Sequence, residues 1–423
     1  GAALGVLSQS AVVLTNTIIE KGNINDTKLT DNKTTGAPYY EASAAHITEN
    51  GTTAEFVNCT IANNITRAGG AIFVDGKGKA SLKGCKIQNN ISTVETPAIR
   101  AKGIGSYLCL EDCLIEGNEH SERVVGRYNA NMVYASDDGR IDMYNSLMKG
   151  NLVHGKRGGF LVARGKSTVG AVINAVNCTF TQADGIEQAI QITDNLNKIN
   201  VVSSTFVDNT LGTPLINNAS TSHYNCIFSN NKNGAAESGL NKSGHTYIHG
   251  SEYYDANGAK IENLAPKFDR SFDLAEFLAD NGGSIMTFKL DPDGEKATLA
   301  LTKGMNAEEL ATLATSLELD AEKVKRDARG VLRAGRNMGA YTEGTAASGI
   351  ENEVVENVTL KVAVENGVIY VHAAEAMTVN VYAADGTRIL TKTIEEGINA
   401  LPEISAKGYY ILNAGGKSVK AIL

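Results

Sequence analysis

Two rows of residues hold most of the chain's candidate chemistry. If Ile72, Val74, Ile99, Ala101, Val133, Ala135, Leu161, Ala163, Ile190 and Ile192 point inward along short strands, alternation turns their neighbours outward. One outward row then reads Phe73, Arg100, Tyr134, Val162, Gln191, and the other Asp75, Lys102, Ser136, Arg164, Thr193. Asp137, Asp138, Asp142 and Asp194 stand at the strand ends. Such a mixture suits an acidic polysaccharide, because guanidinium pairs bidentately with a uronate carboxylate and tyrosine stacks on a sugar ring. Arg100, Lys102, Tyr134, Asp137, Arg164 and Gln191 are therefore the expected ligand contacts.

The same residues set limits on catalysis. A lyase needs a base, often Lys or Arg, and Ca2+ or Arg to neutralise the uronate; Lys102, Arg100, Arg164 and the Asp137/Asp138 pair are the candidates. Ca2+ is expected only in that case, and otherwise no cofactor. A hydrolase needs two opposed carboxylates, and Asp137 and Asp138 are the nearest to that. The favoured reading of Asp137-Asp138-Gly139-Arg140 is plain turn chemistry. His46, His154, His223 and His249 show no metal-ligand spacing, so no metal is expected, and His223 falls in an inward slot.

What must position these rows is a repeat. Seven times the chain writes a small residue, any, a large apolar, any two, then usually Asn, beginning at Cys59, Cys85, Cys113, Ser146, Cys178, Ser204 and Cys226. The intervals are 26, 28, 33, 32, 26 and 22 residues, as expected of a solenoid whose coils share a core and differ in their loops. A second apolar run precedes each phrase (Phe56, Leu82, Leu110, Met143, Ala175, Val201, His223), and a third strand comes earlier in each coil. Three strands and three corners per turn predict an all-β fold, a right-handed parallel β-helix. Val57-Asn58, Lys83-Gly84 and Glu111-Asp112 are the predicted two-residue corners. The Asn ending each phrase is expected to take the left-handed backbone of a corner and to bond the same amide one coil on, roughly 4.8 Å away. Five Cys fill the small slot, where Ser substitutes, so reduced structural thiols are expected; Cys109 lies off the row.

Composition agrees with a turn-rich β protein: 43 Gly, 6 Pro and no Trp in 423 residues. The net charge is −8 with no Lys/Arg block, which argues against a nucleic-acid partner. No stretch reaches the eighteen or so apolar residues of a membrane span. Gly1 precedes Thr17 by the 16 residues that separate Gly69 from Cys85, so the chain is expected to begin inside a coil, with N-terminal coils missing and any signal peptide removed. Residues 23–40 read as a loop inserted in that first turn.

The coils, with Gly69-Gly-Ala-Ile72 and Phe-x-x-Asn phrases, resemble pectate-lyase-like and polymorphic outer-membrane-protein repeats. Asp327-Ala-Arg329-Gly-Val-Leu-Arg333 running into Gly339-Ala-Tyr341 resembles the ending of secreted bacterial β-helix proteins of the choice-of-anchor type. Asp137-Asp138 is similar to the adjacent aspartates of polygalacturonase-like enzymes, but the accompanying Asn-Thr-Asp, Gly-His-Gly and Arg-Ile-Lys phrases are absent. The tail is similar to the C-terminal sorting domain of the type IX secretion system, through Val379-Asn-Val381-Tyr-Ala-Ala-Asp385-Gly386-Thr-Arg388, Gly408-Tyr-Tyr-Ile-Leu412 and the final Lys417-Ser-Val-Lys420-Ala-Ile-Leu423. This last resemblance implies export across a bacterial outer membrane.

The expected organisation is β-helix coils over 1–264, a closing region with a short helix over 265–341, a linker over 342–357 and a six-stranded β-sandwich sorting domain over 358–423. The expected function is non-catalytic adhesion or glycan binding by a secreted protein at the outer cell surface. Its partners would be a polysaccharide or a host or cell-surface glycan, and the secretion machinery through residues 358–423. The alternatives are a polysaccharide lyase or glycoside hydrolase, and a structural surface-layer protein.

Overall fold

The computed structural model describes residues 4–22, 43–66, 69–92, 95–120, 130–153, 158–165, 168–184, 188–210, 216–217, 221–229, 231, 247–249, 252–254, 278–290, 297–342, 361–365, 368–373, 376–383, 386–401, 404, 408–414 and 417–422. The chain forms two compact units, Gly1–Ala346 and Ala347–Leu423.

Among the described residues, the strands of the first unit stack into four parallel sheets. Sheet I runs from Leu4–Val6 through Ser43–Ile47, Gly70–Val74, Ile99–Lys102, Ala130–Ser136, Gly158–Arg164 and Gln188–Ile192 to Ile216–Asn217. Sheet II runs from Ala11–Thr15 to Thr221–Tyr224, and sheet III from Ile18–Glu20 to Cys226–Ser229 and on to Tyr247–His249, with Glu252–Tyr254 added antiparallel. Each coil visits sheets I, II and III in turn, and successive coils pair in register: Ile72 on Ile99, Val133, Leu161 and Ile190. The unit is thus built of long parallel sheets, consistent with the parallel β-helix expected from the repeat. Sheet IV, made of Ile65–Thr66, Ile91–Ser92, Glu119–His120 and Leu152–Val153, was not anticipated. At two residues per strand it is too short for any periodic signal.

The repeated phrase folds into two corners. Between sheets II and III the corner residues are Asn16, Asn58, Gly84, Asp112, Asn145, Asn177, Ser203 and Asn225, all left-handed with φ from 47 to 62°. Between sheet III and the next strand they are Lys21, Asn63, Asn89, Gly117, Gly150, Gln182 and Asp208, with φ from 53 to 63°. The left-handed position is therefore one residue before the phrase-ending Asn, which corrects the expectation. Freed from the corner, that Asn turns inward and builds the ladder. Asn64, Asn90 and Asn118 each donate Nδ2 to Oδ1 of the next rung, at 2.9, 2.9 and 3.1 Å, ending on Asn151. Each Nδ2 also reaches a carbonyl of the preceding coil, as Asn118 does to Ile87 O at 2.8 Å. Ala183 interrupts the ladder, which resumes from Asn209 to Asn231 at 2.8 Å.

All six thiols are free. The small slot works as an acceptor for the coil before it: Cys59 N–H meets Cys85 Sγ at 3.4 Å, and Cys113 N–H meets Ser146 Oγ at 3.2 Å. Sulfur and hydroxyl both fill that role, hence their interchange. Burial pushes the Cys178 and Cys226 thiols up to about 12, so both stay neutral. Deeper in the core, Phe206 stacks on Phe180 at 4.2 Å and on Phe228 at 5.0 Å. His223 is fully buried, edge-on to Phe228, in the core slot expected for it. Simple alternation fails at the start of the sheet I strands, where Ala71, Ala98, Met132, Phe160 and Ala189 also join the core.

The segment 278–342 lies along the side of sheets II and III. Among its described residues it carries three helices, α1 (Ala297–Thr302), α2 (Ala307–Ser316) and α3 (Ala321–Val324). Asn306 caps α2 in a capping box with Glu309. Leu310, Ala314, Leu319 and Val324 pack on Tyr144, Val176 and Val202, the outward ends of sheet II strands. At the same register the earlier coils carry Lys83 and Glu111, the latter paired with Lys323 of α3 at 2.7 Å. That switch from charged to apolar was a legible sign of a cover. The Asp-x-x-Gly-x-x-Arg phrase ties the segment down. Buried Asp327 accepts from the backbone N–H of Arg329, Val331 and Thr342 at 2.8, 3.0 and 3.0 Å and pairs with Arg329 at 2.8 Å. The Arg329 guanidinium sits 3.9 Å over the Tyr341 ring and donates to Thr342 O. Burial pulls the Arg333 guanidinium down to about 10, and it donates to Asn337 O, Gly339 O and Asn177 Oδ1.

The second unit holds two antiparallel sheets among the described residues: Lys361–Glu365, Val368–Ala373 and Gly397–Leu401 in one, and Arg388–Ile394, Met377–Ala383, Tyr409–Ala414 and Lys417–Ile422 in the other. They share a core that includes Ile369, Val371, Val379, Val381, Leu401 and Leu412. Gly397–Leu401 is a strand beyond the six expected, its start having been read as part of a turn. Apart from Thr342, the expected linker over 342–357 lies outside the described residues, as does the loop over 23–40.

Candidate functional site

Both outward rows of sheet I form in the expected register. The first reads His46, Phe73, Arg100, Tyr134, Val162, Gln191, Asn217. It does not face solvent, however: Phe73 and Val162 are 0% exposed, Arg100 5% and Tyr134 6%. Arg100 lies 5.4 Å from the Phe73 ring centre and 5.0 Å from that of Tyr134, and it pairs with Glu95 at 2.9 Å. The cation is thus held between two aromatic faces and one carboxylate. Arg100 and Tyr134 belong to a buried stack rather than to the presented surface that alternation alone implied. Gln191 is half-buried, and its amide oxygen has no hydrogen-bond donor among the described residues.

Burial, then the Glu95 charge, pushes the Tyr134 phenol up to about 12; the Asp137 charge adds to this, while Arg100 and Arg164 pull the other way. Two guanidiniums and two carboxylates therefore gather electrostatically around one phenol, which is too weak an acid to be a ready base near neutral pH.

The second row is the accessible one. Lys102 pairs in register with Ser136, and Ser136 with Arg164. Lys102 and Arg164 are half-buried, whereas Ser136 is buried with no hydrogen-bond partner for its hydroxyl among the described residues. One coil before, His46 Nε2 lies 3.0 Å from Asp75 Oδ1, and the imidazole stacks on Phe73 at 4.8 Å. Burial alone would raise the Asp75 carboxyl; hydrogen bonds from His46 and Thr48 and the charges of His46 and Lys102 outweigh it and hold it low. Sequence reasoning treated His46 as a lone histidine. Its place at row one of sheet I, one coil before Asp75 in row two, was the available signal.

Asp137 and Asp138 are consecutive left-handed residues, φ 49 and 71°, in the turn from sheet I to sheet II. Asp138 accepts from the backbone N–H of Thr168, Val169 and Gly170 at 2.8, 3.0 and 2.8 Å and from the Thr168 hydroxyl at 2.9 Å. It clamps one turn to the next, as the favoured turn reading of the pair has it. A side chain at Gly165, φ 113°, would collide with the Asp137 carboxylate. Asp142 faces outward on sheet II instead, bonded to Tyr107, Arg140 and Asn174 at 3.0, 3.1 and 2.7 Å. His154 lies outside the described residues.

Burial pushes the Asp138 carboxyl upward, but the N–H donors of 168–170 outweigh it and bring it to about 2. The clamp therefore contributes fully above the ordinary carboxylate pKa and is lost as pH falls through about 2. An NMR titration should find Asp138 still ionised at pH 3 or so, and an ordinary titration near 3.9 or so would refute the clamp.

Comparison with family models, curated proteins and solved structures finds no match to this chain. Among the described residues no group of three or more His, Cys, Asp or Glu is placed to hold a metal ion.

Proposed function

We propose that this is an exported cell-surface protein, a right-handed parallel β-helix with a C-terminal β-sandwich sorting domain, that binds an acidic polysaccharide without cleaving it. The observation that carries the reading is the second row of sheet I. Lys102 and Arg164 flank the buried, unpartnered hydroxyl of Ser136, one strand away on either side. Two strand spacings put the cations roughly 10 Å apart. Carboxylates on alternate sugars of an extended chain repeat on a similar length, whereas a row with a cation on every coil would suit a polymer charged at every sugar. The Arg100–Tyr134 stack lies beside that row on the same strands and is buried, so it does not contact the polymer.

Against cleavage stand Asp138, committed to a turn, and Tyr134, whose proton is held too tightly for a base. The lyase reading keeps Lys102 as its base and the Arg164 guanidinium as its neutraliser. It is retained as the alternative because both lie in one row.

Isothermal titration with an alternating uronate–hexosamine polymer, a polyuronate and a neutral glucan tests the reading. Lys102→Ala and Arg164→Ala each remove a charge-assisted contact worth about 1.5–3 kcal/mol, so each should weaken binding by roughly tenfold or more. Equal binding of the neutral glucan, or unaltered binding by both variants, would refute it. Release of unsaturated uronate during the titration would select the lyase instead.

A further inference from the structure

At the corner between sheets II and III, away from the rows of sheet I, lies a cavity of about 290 Å3. Three successive corner residues, Asn58, Gly84 and Asp112, form one side, and Ser284, Ile285 and Met286 of the covering segment form the other. The corner is sealed in later coils: Asn177 Nδ2 bonds Lys323 O, Asn225 Nδ2 bonds Asn337 O, and Asn225 Oδ1 receives Met305 N–H. In the earlier coils 284–286 reaches over it, with the Lys323 side chain alongside on Glu111 at 2.7 Å. Gly84 supplies no side chain there, and a Cβ on it would collide with the Asn58 amide oxygen, which leans across the gap. The cavity is where the cover lifts and a rung of the corner is missing.

Its chemistry is divided. Leu114, Leu147, Ile285 and Met286 make an apolar wall. Asp112 and Lys86 also line it, and neither has an ion pair among the described residues. The Asp112 carboxyl accepts from the neutral side chain of Asn145. Its volume is close to the lower end of small-ligand sites, which are mostly apolar with a few convergent polar groups. An unpaired carboxylate and an unpaired ammonium beside one apolar wall are complemented by a zwitterion with an apolar side chain.

We propose that this cavity binds a free aliphatic α-amino acid, its ammonium on Asp112, its carboxylate on Lys86 and its side chain on Leu114, Leu147, Ile285 and Met286. Burial, followed by the nearby Glu111 charge, raises the Asp112 carboxyl, outweighing the Asn145 hydrogen bond and the charges of Lys83 and Lys323, neither of which forms an ion pair with it. The site is independent of polysaccharide binding on sheet I.

The test is calorimetric titration of the full chain with L-leucine, L-leucinamide, N-acetyl-L-leucine and glycine. Leucine should bind saturably at one site, and each analogue roughly tenfold more weakly, for loss of the carboxylate, the ammonium or the side chain. Asp112→Asn should abolish the preference for leucine over N-acetyl-leucine. Because Asp112 holds a left-handed corner, the exposed Lys86→Gln is the second variant; it should abolish the preference for leucine over leucinamide while leaving the thermal midpoint unchanged. No saturable leucine binding would overturn the proposal. So would equal affinity for leucine and leucinamide in the unaltered chain, or retention of that preference in Lys86→Gln.

Discussion

Asp327→Ala is expected to destabilise the first unit by about 3–5 kcal/mol, the range for breaking a buried ion pair by removing one partner. The Asp327 carboxylate is fully buried and holds four groups: the N–H of Arg329, of Val331 and of Thr342, and the Arg329 guanidinium. Its loss strands three amide donors and leaves Arg329, itself buried, with carbonyl partners and the Tyr341 ring but no counter-charge. The effect should spread, because Arg333 beside it spans Asn177 of the sheet II–III corner and Gly339 O of the covering segment. Urea unfolding followed by circular dichroism measures it. Asp327→Asn keeps the shape and some of the acceptors, so it should cost less than Ala yet more than a surface change. A loss below about 1 kcal/mol for Asp327→Ala would show that the phrase does not anchor the segment.

Asn118→Ala is expected to cost about 2–4 kcal/mol, since it leaves several buried polar groups unmet at about 1–3 kcal/mol each, with partial relaxation. Asn118 Oδ1 accepts from both the backbone N–H and the Nδ2 of Asn90, and its Nδ2 serves Ile87 O and Asn151 Oδ1. Ala183 is the natural comparison: there the chain already lacks the amide, and Ala183 N–H is met by Asn209 Oδ1 at 3.2 Å. A thermal midpoint for Asn118→Ala within a degree or so of the parent would refute an energetic role for the ladder.

Much of the fold was legible because the repeat is a local signal. Cys59 to Cys226 fall in one buried slot, and Ile72, Ile99, Val133 and Leu161 stack, because alternation dictates facing once the period is known. What failed was detail that period-2 logic cannot reach. The left-handed residue proved to be Asn63, Asn89 or Gly117 rather than the following Asn, because both positions favour the same residue types.

The candidate site was half legible. Register placed Arg100 beside Phe73 and Tyr134, and Lys102 in line with Ser136 and Arg164. Alternation distinguishes the two faces of a sheet, but whether the outer face meets water depends on what else packs there. For Arg100 and Tyr134 that was decided by burial and by Glu95, whose contact with the row no periodicity announces. Asp138 likewise became a clamp only because the turn at 168–170 brought three N–H groups to it across about thirty residues of chain.

By itself, then, the sequence determined the coil period, the inward and outward rows and the free-thiol core, since each follows from the order of residues along a repeating strand. Only the tertiary structure decided which outward rows are covered, where segment 278–342 lies and where a cavity opens. These depend on contacts between coils and a distant segment, such as Tyr144 with Leu310 and Asn225 with Asn337, which lie far apart in the chain and obey no period.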